Sequence, residues 1–575
     1  MNLEFHPGFI LLLGAISVTV LPLFFRRVVM VLAPLLAIAA VFALQAGTVW
    51  SYPFINGLEL ILLKVDRLSW VFALIFSIMA LLGNIYALHI KNRGESAAGL
   101  AYAGSSLGVV LAGDWVTLIF FWELMAVTST LLIWYRKAPQ AISAGFRYIL
   151  VHFFGGNLLL AGIFLKVTGG EPLITVLTGT NDLAFWLILL GISINAAIPP
   201  LHAWLTDAYP EGTVSGSVFL SSFTTKVAVY CLIRVFPGTE LLIWAGVIMA
   251  LYGVVYAVLE NDIRRLLAYH IISQVGYMVA AVGMGTDLAL NGAVSHAFSH
   301  ILYKSLLFMG AGAVIYATGR RKLSELGGFF REMPATVILY TVGAFSISGV
   351  PLFNGFISKS MIVSAAAYNH MPAVELLLYL ASVGTFLHTG LKLPYFMFFG
   401  PDRGLKPGKI PLNMHAAMIG GAFLCTMYGV VPSLLYQYLP FAATYEPYTL
   451  DHVISAMQLL VATLAAFWLF IPKLGGEPTV SVDTDWFYRR PLYYLTISLV
   501  NFVSSVRNGF GVWGNRLLEA VVPFFRNPLV LVPQTGENGP PSPFYQEDRY
   551  RFPVGITVLM SVIVFVVAFS YIWLT

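Results

Sequence analysis

The stretch SHAFSHILYKSLLFMGAGAVIYA, from Ser295 to Ala317, carries three proton-binding side chains: His296, His300 and Lys304. They stand four residues apart, so a helix presents all three on one face. At 1.5 Å per residue the file is about 12 Å long, with about 6 Å between neighbours. Side-chain motion or one water closes a gap of that size, as in intramembrane proton relays. The rest of the stretch is apolar enough for a bilayer, so the chemistry suggested is proton transfer along a buried helix face. His-x-x-x-His is also a zinc-ligand spacing. Here Ala297 stands where the Glu of that motif would follow, no Cys is near, and Lys304 would repel a cation. A packing role for one of the two histidines is the other alternative.

The same kind of residue recurs in other apolar runs. Glu123 lies in FFWELMA, Lys226 in SSFTTKVAVY, His270 in LAYHIISQVGYM, Lys359 in NGFISKSMIV and Lys392 in TGLKLPYFMFFG. A Lys or Asp at the centre of a membrane helix costs roughly 2.5–3.5 kcal/mol. Lys166 and Arg234 fall near the ends of their runs and can snorkel to the interface. A carboxylate partner that ties two helices together would explain one buried lysine. It cannot explain all of them, because the lysines outnumber the central carboxylates and Glu123 can pair closely with only one. A buried lysine without a partner ionises less readily and can exist neutral, and histidine titrates near neutral pH. These groups read as proton carriers. Lys226 follows GTVSGS, and Lys359 follows ISGVPLFNGFIS with Pro351 and Gly355. Gly and Pro at membrane depth suggest discontinuous helices lining a polar cavity. Their recurrence before two lysines hints at an internal repeat.

The elements that position these residues follow from composition. The chain has 575 residues, 58% hydrophobic and 10% charged, with a mean hydropathy of +0.82. A soluble protein carries roughly 25% charged residues, so this is an all-α polytopic membrane protein. Cys231 and Cys425 both lie in apolar runs, which supports neither a disulfide framework nor a cysteine metal cluster. The net charge of +5 resides in loops and does not indicate nucleic acid.

At about 20 apolar residues per span, about sixteen spans are expected, among them 96–113, 115–135, 213–236 and 335–366. Basic residues cluster after alternate spans, as at Arg264 and Arg265 or Arg320, Arg321 and Lys322. By the positive-inside rule those loops are cytoplasmic and both termini are not. The first apolar run, Gly8 to Phe25, lacks a cleavage site and reads as a membrane helix rather than a signal peptide. The expected segments are N-terminal helices over 1–95, repeats over 96–260 and 261–400, further helices over 401–472, an amphipathic segment and linker over 473–552, and a final span over 553–575. Within the fifth of these, a helix over residues 491–526 would reach about 54 Å and suits the membrane surface.

The motifs resemble a known family. They are WELM around Glu123, PPLHAWLTDAYPE from Pro199 to Glu211, and TTK at Lys226. They continue with ENDIRRLLAYH from Glu260 to His270, SHAFSHILYKSLLFMGAGAV, and SGVPLFNGFISK ending at Lys359. The chain is similar to the antiporter-like subunits shared by respiratory complex I, membrane-bound hydrogenases and Mrp-type cation/proton antiporters, those of the Mrp D type in particular. That resemblance implies two inverted five-helix repeats, each with a broken helix. It implies that Glu123 pairs with Lys226 and that Lys304 leads to Lys359, with His270, His296 and His300 bridging. Lys392, Asp207 and Glu260 are secondary candidates. It further implies no redox centre, cofactor or metal of its own. The expected partners are other membrane subunits of the inner membrane, with H⁺ and Na⁺ or K⁺ as the ions. The alternative functions are membrane uptake of inorganic carbon, as one part of such a system, and intramembrane metalloenzyme chemistry.

Overall fold

The structure is a computed structural model that describes residues 5–475, 482–526 and 554–574. Helices dominate because long apolar runs are broken by capping residues and glycines rather than by polar loops. The chain opens with α1 (Pro7–Val20) and α2 (Leu23–Ala43). A hairpin of β1 (Val49–Pro53) and β2 (Glu59–Lys64) follows, antiparallel, with Val49 opposite Lys64. Then come α3 (Arg67–Ala87), α4 (Arg93–Leu111), α5 (Trp115–Trp134), α6 (Pro139–Thr168) and α7 (Leu183–Ala196). Asp66, Asn92, Asp114 and Asp182 cap α3, α4, α5 and α7 by accepting first-turn amides, which satisfies donors that a helix leaves orphaned.

The middle of the chain holds α8 (Ala203–Ala208), α9 (Gly216–Leu220), α10 (Thr224–Val235), α11 (Glu240–Leu259), α12 (Ile263–Met284) and α13 (Asp287–Thr318). Next are α14 (Pro334–Ser348), α15 (Asn354–Tyr368) and α16 (Pro372–Thr385). Two π-helical stretches, Phe386–Lys392 and Tyr395–Phe399, prolong α16. Then come α17 (Leu412–Val430), α18 (Ser433–Tyr436) and α19 (Leu450–Leu474). Helices α12 and α13 form the centre. Their mid-portions are buried among neighbours on every side.

Two breaks matter for the site. Residues 221–223 separate α9 from α10, and residues 349–353 separate α14 from α15. The expected single span over 335–366 is therefore two half-helices. Gly349 closes the first at φ +77, a left-handed conformation that glycine adopts without strain.

Among the described residues, eleven helices are long and apolar enough to cross a membrane, and three more are shorter apolar helices. Helix α4, over the expected 96–113 span, is outside both groups. It is rich in Gly, Ala and Ser, and nearly all of it is buried against other helices, where small side chains permit close approach.

The chain divides into two compact units, Met1–Asp485 and Trp486–Thr575. The described part of the second is helical. Helix α20 (Asp485–Arg489) begins at the boundary, and α21 (Pro491–Arg526) and α22 (Val554–Leu574) follow. Helix α21 has 36 residues and an amphipathic pattern. The Pro/Gly linker read from the sequence lies outside the described residues.

Candidate functional site

Two lysines sit just past the two breaks and are held alike. Lys226 Nζ donates to the Ser221 carbonyl at 2.6 Å and to Thr225 Oγ1 at 3.1 Å. Lys359 Nζ donates to the Ile347 carbonyl at 2.6 Å and lies 5.4 Å from the centre of the Tyr277 ring. Each carbonyl belongs to the C-terminal end of the preceding half-helix. There the backbone dipole is negative and carbonyls lack intrahelical partners. The break thus supplies the acceptor that a neighbouring carboxylate would otherwise provide.

Helix α13 runs between these two points. His296, His300 and Lys304 are fully buried on it. His296 Nδ1 meets Ser358 Oγ at 3.0 Å, next to Lys359. Its other ring nitrogen faces the Tyr303 hydroxyl at 3.4 Å, and Tyr303 donates to Gln274 at 3.3 Å. The His296 and His300 rings are 6.3 Å apart. Lys304 Nζ and both His300 nitrogens have no hydrogen-bond partner among the described residues. One residue beyond Lys304, Ser305 Oγ meets Ser222 Oγ at 2.8 Å and fastens the first break against α13.

A branch leaves this row through His270 on α12, whose ring is 6.0 Å from that of His388. One turn on, in the same π-helical stretch, Lys392 Nζ donates to the carbonyls of Val258 at 2.7 Å and Glu260 at 3.3 Å. Glu260 pairs with Arg265 at 3.4 Å, on the end of the molecule that carries the basic loops. Among the described residues no three His, Cys, Asp or Glu side chains converge as metal ligands would.

Residues 112–387 match the family described as NADH:quinone oxidoreductase/Mrp antiporter, TM. A protein of Methanocaldococcus jannaschii is 31% identical over 373 residues, which are 61% of this chain and 77% of the relative. The chain belongs to the NADH:quinone oxidoreductase/Mrp antiporter transmembrane family. A probable K⁺/H⁺ antiporter subunit of Rhizobium meliloti, of the A/B type, is 32% identical over 401 residues, or 64% of this chain, but only 40% of that relative is spanned. A chain of the Dietzia Mrp complex superposes with a TM-score of 0.68 at 22% identity, over 80% of this chain and 100% of that one.

One pairing expected from the antiporter-like resemblance is not formed. Glu123 makes no ion pair with Lys226 among the described residues. The lysine turns to the break carbonyl instead. Glu123 is half-buried on α5 and fits against α6 at Gly156, where an added Cβ would collide with Glu123 Oε1. Only a residue without a side chain leaves room for the carboxylate there. Asp207 is not part of the row. Arg147 grips it at 2.6 and 3.1 Å.

Three groups that sequence reasoning missed belong to this picture. His388 precedes Lys392 by four residues, the offset that relates His300 to Lys304, so spacing could have found it. His152 lies one turn before Gly156, buried between Tyr148 and Trp204 with ring centres 4.1 and 4.5 Å away. It falls in an apolar run and the same search would have caught it. Asp483, past the end of α19, had no local signal. Its buried carboxylate accepts from His202 Nε2 at 3.1 Å, from the Tyr269 hydroxyl at 2.5 Å, and from the Tyr252 hydroxyl. Burial alone would push this carboxyl up, but the hydrogen bonds and charge of His202, with those of Tyr252 and Tyr269, outweigh it and hold the group well below the usual carboxylate range.

Proposed function

We propose that this chain is the proton-conducting subunit of a multi-subunit membrane ion pump or cation/proton antiporter. The proton path runs through Glu123, Lys226, Lys304, His300, His296 and Lys359, and His270, His388 and Lys392 form a branch toward the basic loops. The observation that carries this reading is the pair of break-point lysines. Each is bonded to a backbone carbonyl rather than to a carboxylate, and a buried file of His and Lys lies between them. A carbonyl accepts a hydrogen bond without neutralising the charge, so the amine stays free to release its proton. The resemblance to antiporter subunits supports exchange for Na⁺ or K⁺, and the breaks support a fold of two inverted five-helix repeats within about sixteen spans. The inorganic-carbon reading is set aside because the named relative is part of an ion antiporter.

The basic loops at Arg264, Arg265 and Arg320–Lys322 support a cytoplasmic location for that end. Cysteines placed near Arg320 and at Thr575 label from opposite sides of the membrane on this topology. Labelling of both from one side refutes the sixteen-span count.

The decisive test is at Lys304. In proteoliposomes holding the native complex, Lys304→Ala abolishes proton movement. Lys304→Arg also fails, because Arg does not give up its proton. Substantial transport by Lys304→Arg would mean that this lysine fixes structure by its charge alone.

A further inference from the structure

Lys359 opens into a small cavity of about 70 Å³ walled by α15, α16 and α19, and five of the lining residues are serines. A hydroxyl-lined cavity that holds an amine suits water, and water passes protons. Where α15 meets α19, three polar groups close on one another. Ser364 Oγ meets the Tyr445 hydroxyl at 3.1 Å and His452 Nε2 at 3.3 Å, and Tyr445 meets His452 Nδ1 at 3.5 Å. Ser364 and His452 line the Lys359 cavity. Tyr445 lines a different cavity of about 520 Å³ beside the loop that precedes α19. The three side chains thus form a hydrogen-bonded link from residues of one cavity to a residue of the other. His452 is half-buried.

We propose that His452, with Ser364 and Tyr445, is the gate through which the proton leaving Lys359 passes to the face opposite the basic loops. Both His452 and Tyr445 lie beyond residue 387, where the family match ends. The inference rests on the reading of Lys359 as a proton carrier. The step balances on the imidazole. Lys359 ammonium gives its proton to the cavity, and Nε2 takes up one proton from the Ser364 side. Nδ1 releases one to Tyr445 and the outer cavity, and the ring then turns over, so that its protonated nitrogen faces outward and its bare nitrogen receives the next proton. No net charge stays on the ring. An apolar side chain at either position would break this exchange without altering the rest of the file.

The test uses the full chain with the subunits that co-purify with it, reconstituted in liposomes. Proton flux is expected to fall about a hundredfold in His452→Ala, the low end of what one positioned proton-transfer group contributes. Millimolar imidazole added on the side opposite the basic loops restores it. A structural role would not respond to imidazole. Tyr445→Phe, which removes only a hydroxyl, slows flux without altering assembly and covers the case in which His452→Ala does not assemble. Wild-type flux in His452→Ala, a loss that imidazole does not restore, or wild-type flux in Tyr445→Phe overturns the gate. Lys359→Ala separates this outcome from the wider reading. If it still conducts, the proton path itself fails. If it is inactive while His452 is dispensable, only the gate fails.

Discussion

Asp483 provides the most quantitative test of how the first unit is held together. Its carboxylate is the common acceptor for His202, which follows α7, for Tyr252 on α11 and for Tyr269 on α12. Asp483→Ala removes the charge and strands three donors at once, two of them, His202 and Tyr269, fully buried. Breaking a buried charged network by deleting one partner costs about 3–5 kcal/mol. Asp483→Asn keeps one acceptor oxygen and loses about 1–3 kcal/mol, the range for a charged hydrogen bond made neutral. The cost falls on the segment after α19, which otherwise holds by the Tyr256 hydroxyl on the Val482 carbonyl and Thr484 Oγ1 on the Pro200 carbonyl. Hydrogen exchange reads such local opening directly. Opening of residues 482–485 should rise about a hundred- to several-thousandfold in Asp483→Ala and about five- to a hundredfold in Asp483→Asn, at 1.4 kcal/mol per decade. Unchanged protection in the alanine variant would refute the clamp.

The pH dependence has a definite sign. The folded value of the Asp483 carboxyl is depressed, so its contribution is present above the unfolded value of about 3.9 and is lost only as pH falls through the lower folded value. Limited proteolysis after α19 should therefore be the same at pH 7 and pH 5.

Three further outcomes follow from the site. Gly156→Ala should displace the Glu123 carboxylate and slow proton transport while the melting temperature shifts little, because the displaced atom is the end of a flexible side chain; unaltered transport would show that the Glu123 position is not critical. Glu123→Gln should slow transport while the protein still assembles, and wild-type rates at normal expression would remove Glu123 from the path. Lys392→Met should reduce flux by cutting the branch at the Val258 and Glu260 carbonyls, measured in proteoliposomes; unchanged flux would assign that lysine to structure.

Much of this was legible in the sequence for a physical reason. Charged groups in apolar runs stand out because a bilayer penalises them, and Gly and Pro mark breaks because few other residues tolerate those backbones. Glu123, Lys226, Lys304 and Lys359 were visible on that ground. What each group touches was not visible. Lys226 was expected beside Glu123, yet the break places the Ser221 carbonyl nearer, and no residue pattern encodes a freed carbonyl. The break after Ser348 was legible in Pro351 and Gly355, but its exact place, closed by Gly349, was a matter of geometry. His202 and Asp483 meet across 281 positions, and no local pattern announces a contact between a polar loop and a distant helix junction. Helix α4 was a marginal span for a related reason. Its small residues are chosen for helix contact rather than for lipid, which lowers the hydropathy on which counting depends.

Helix α19 has one more consequence. Of its 25 residues only Thr463 and Phe467 are buried, and its outward side bears Trp468 and Leu469 uncovered. The chamber beside Lys359 is thus closed, along that side, by a partition one helix thick. Whatever lies against the outer surface of that partition, lipid or another protein of the complex, bears directly on the helix that carries His452. Removing a neighbour there would loosen the wall without touching a single ionisable group. On the proposed reading, assembly into a larger complex acts as a seal as well as a scaffold, and a chain isolated from its neighbours would leak or stall at its last step even with every proposed carrier intact.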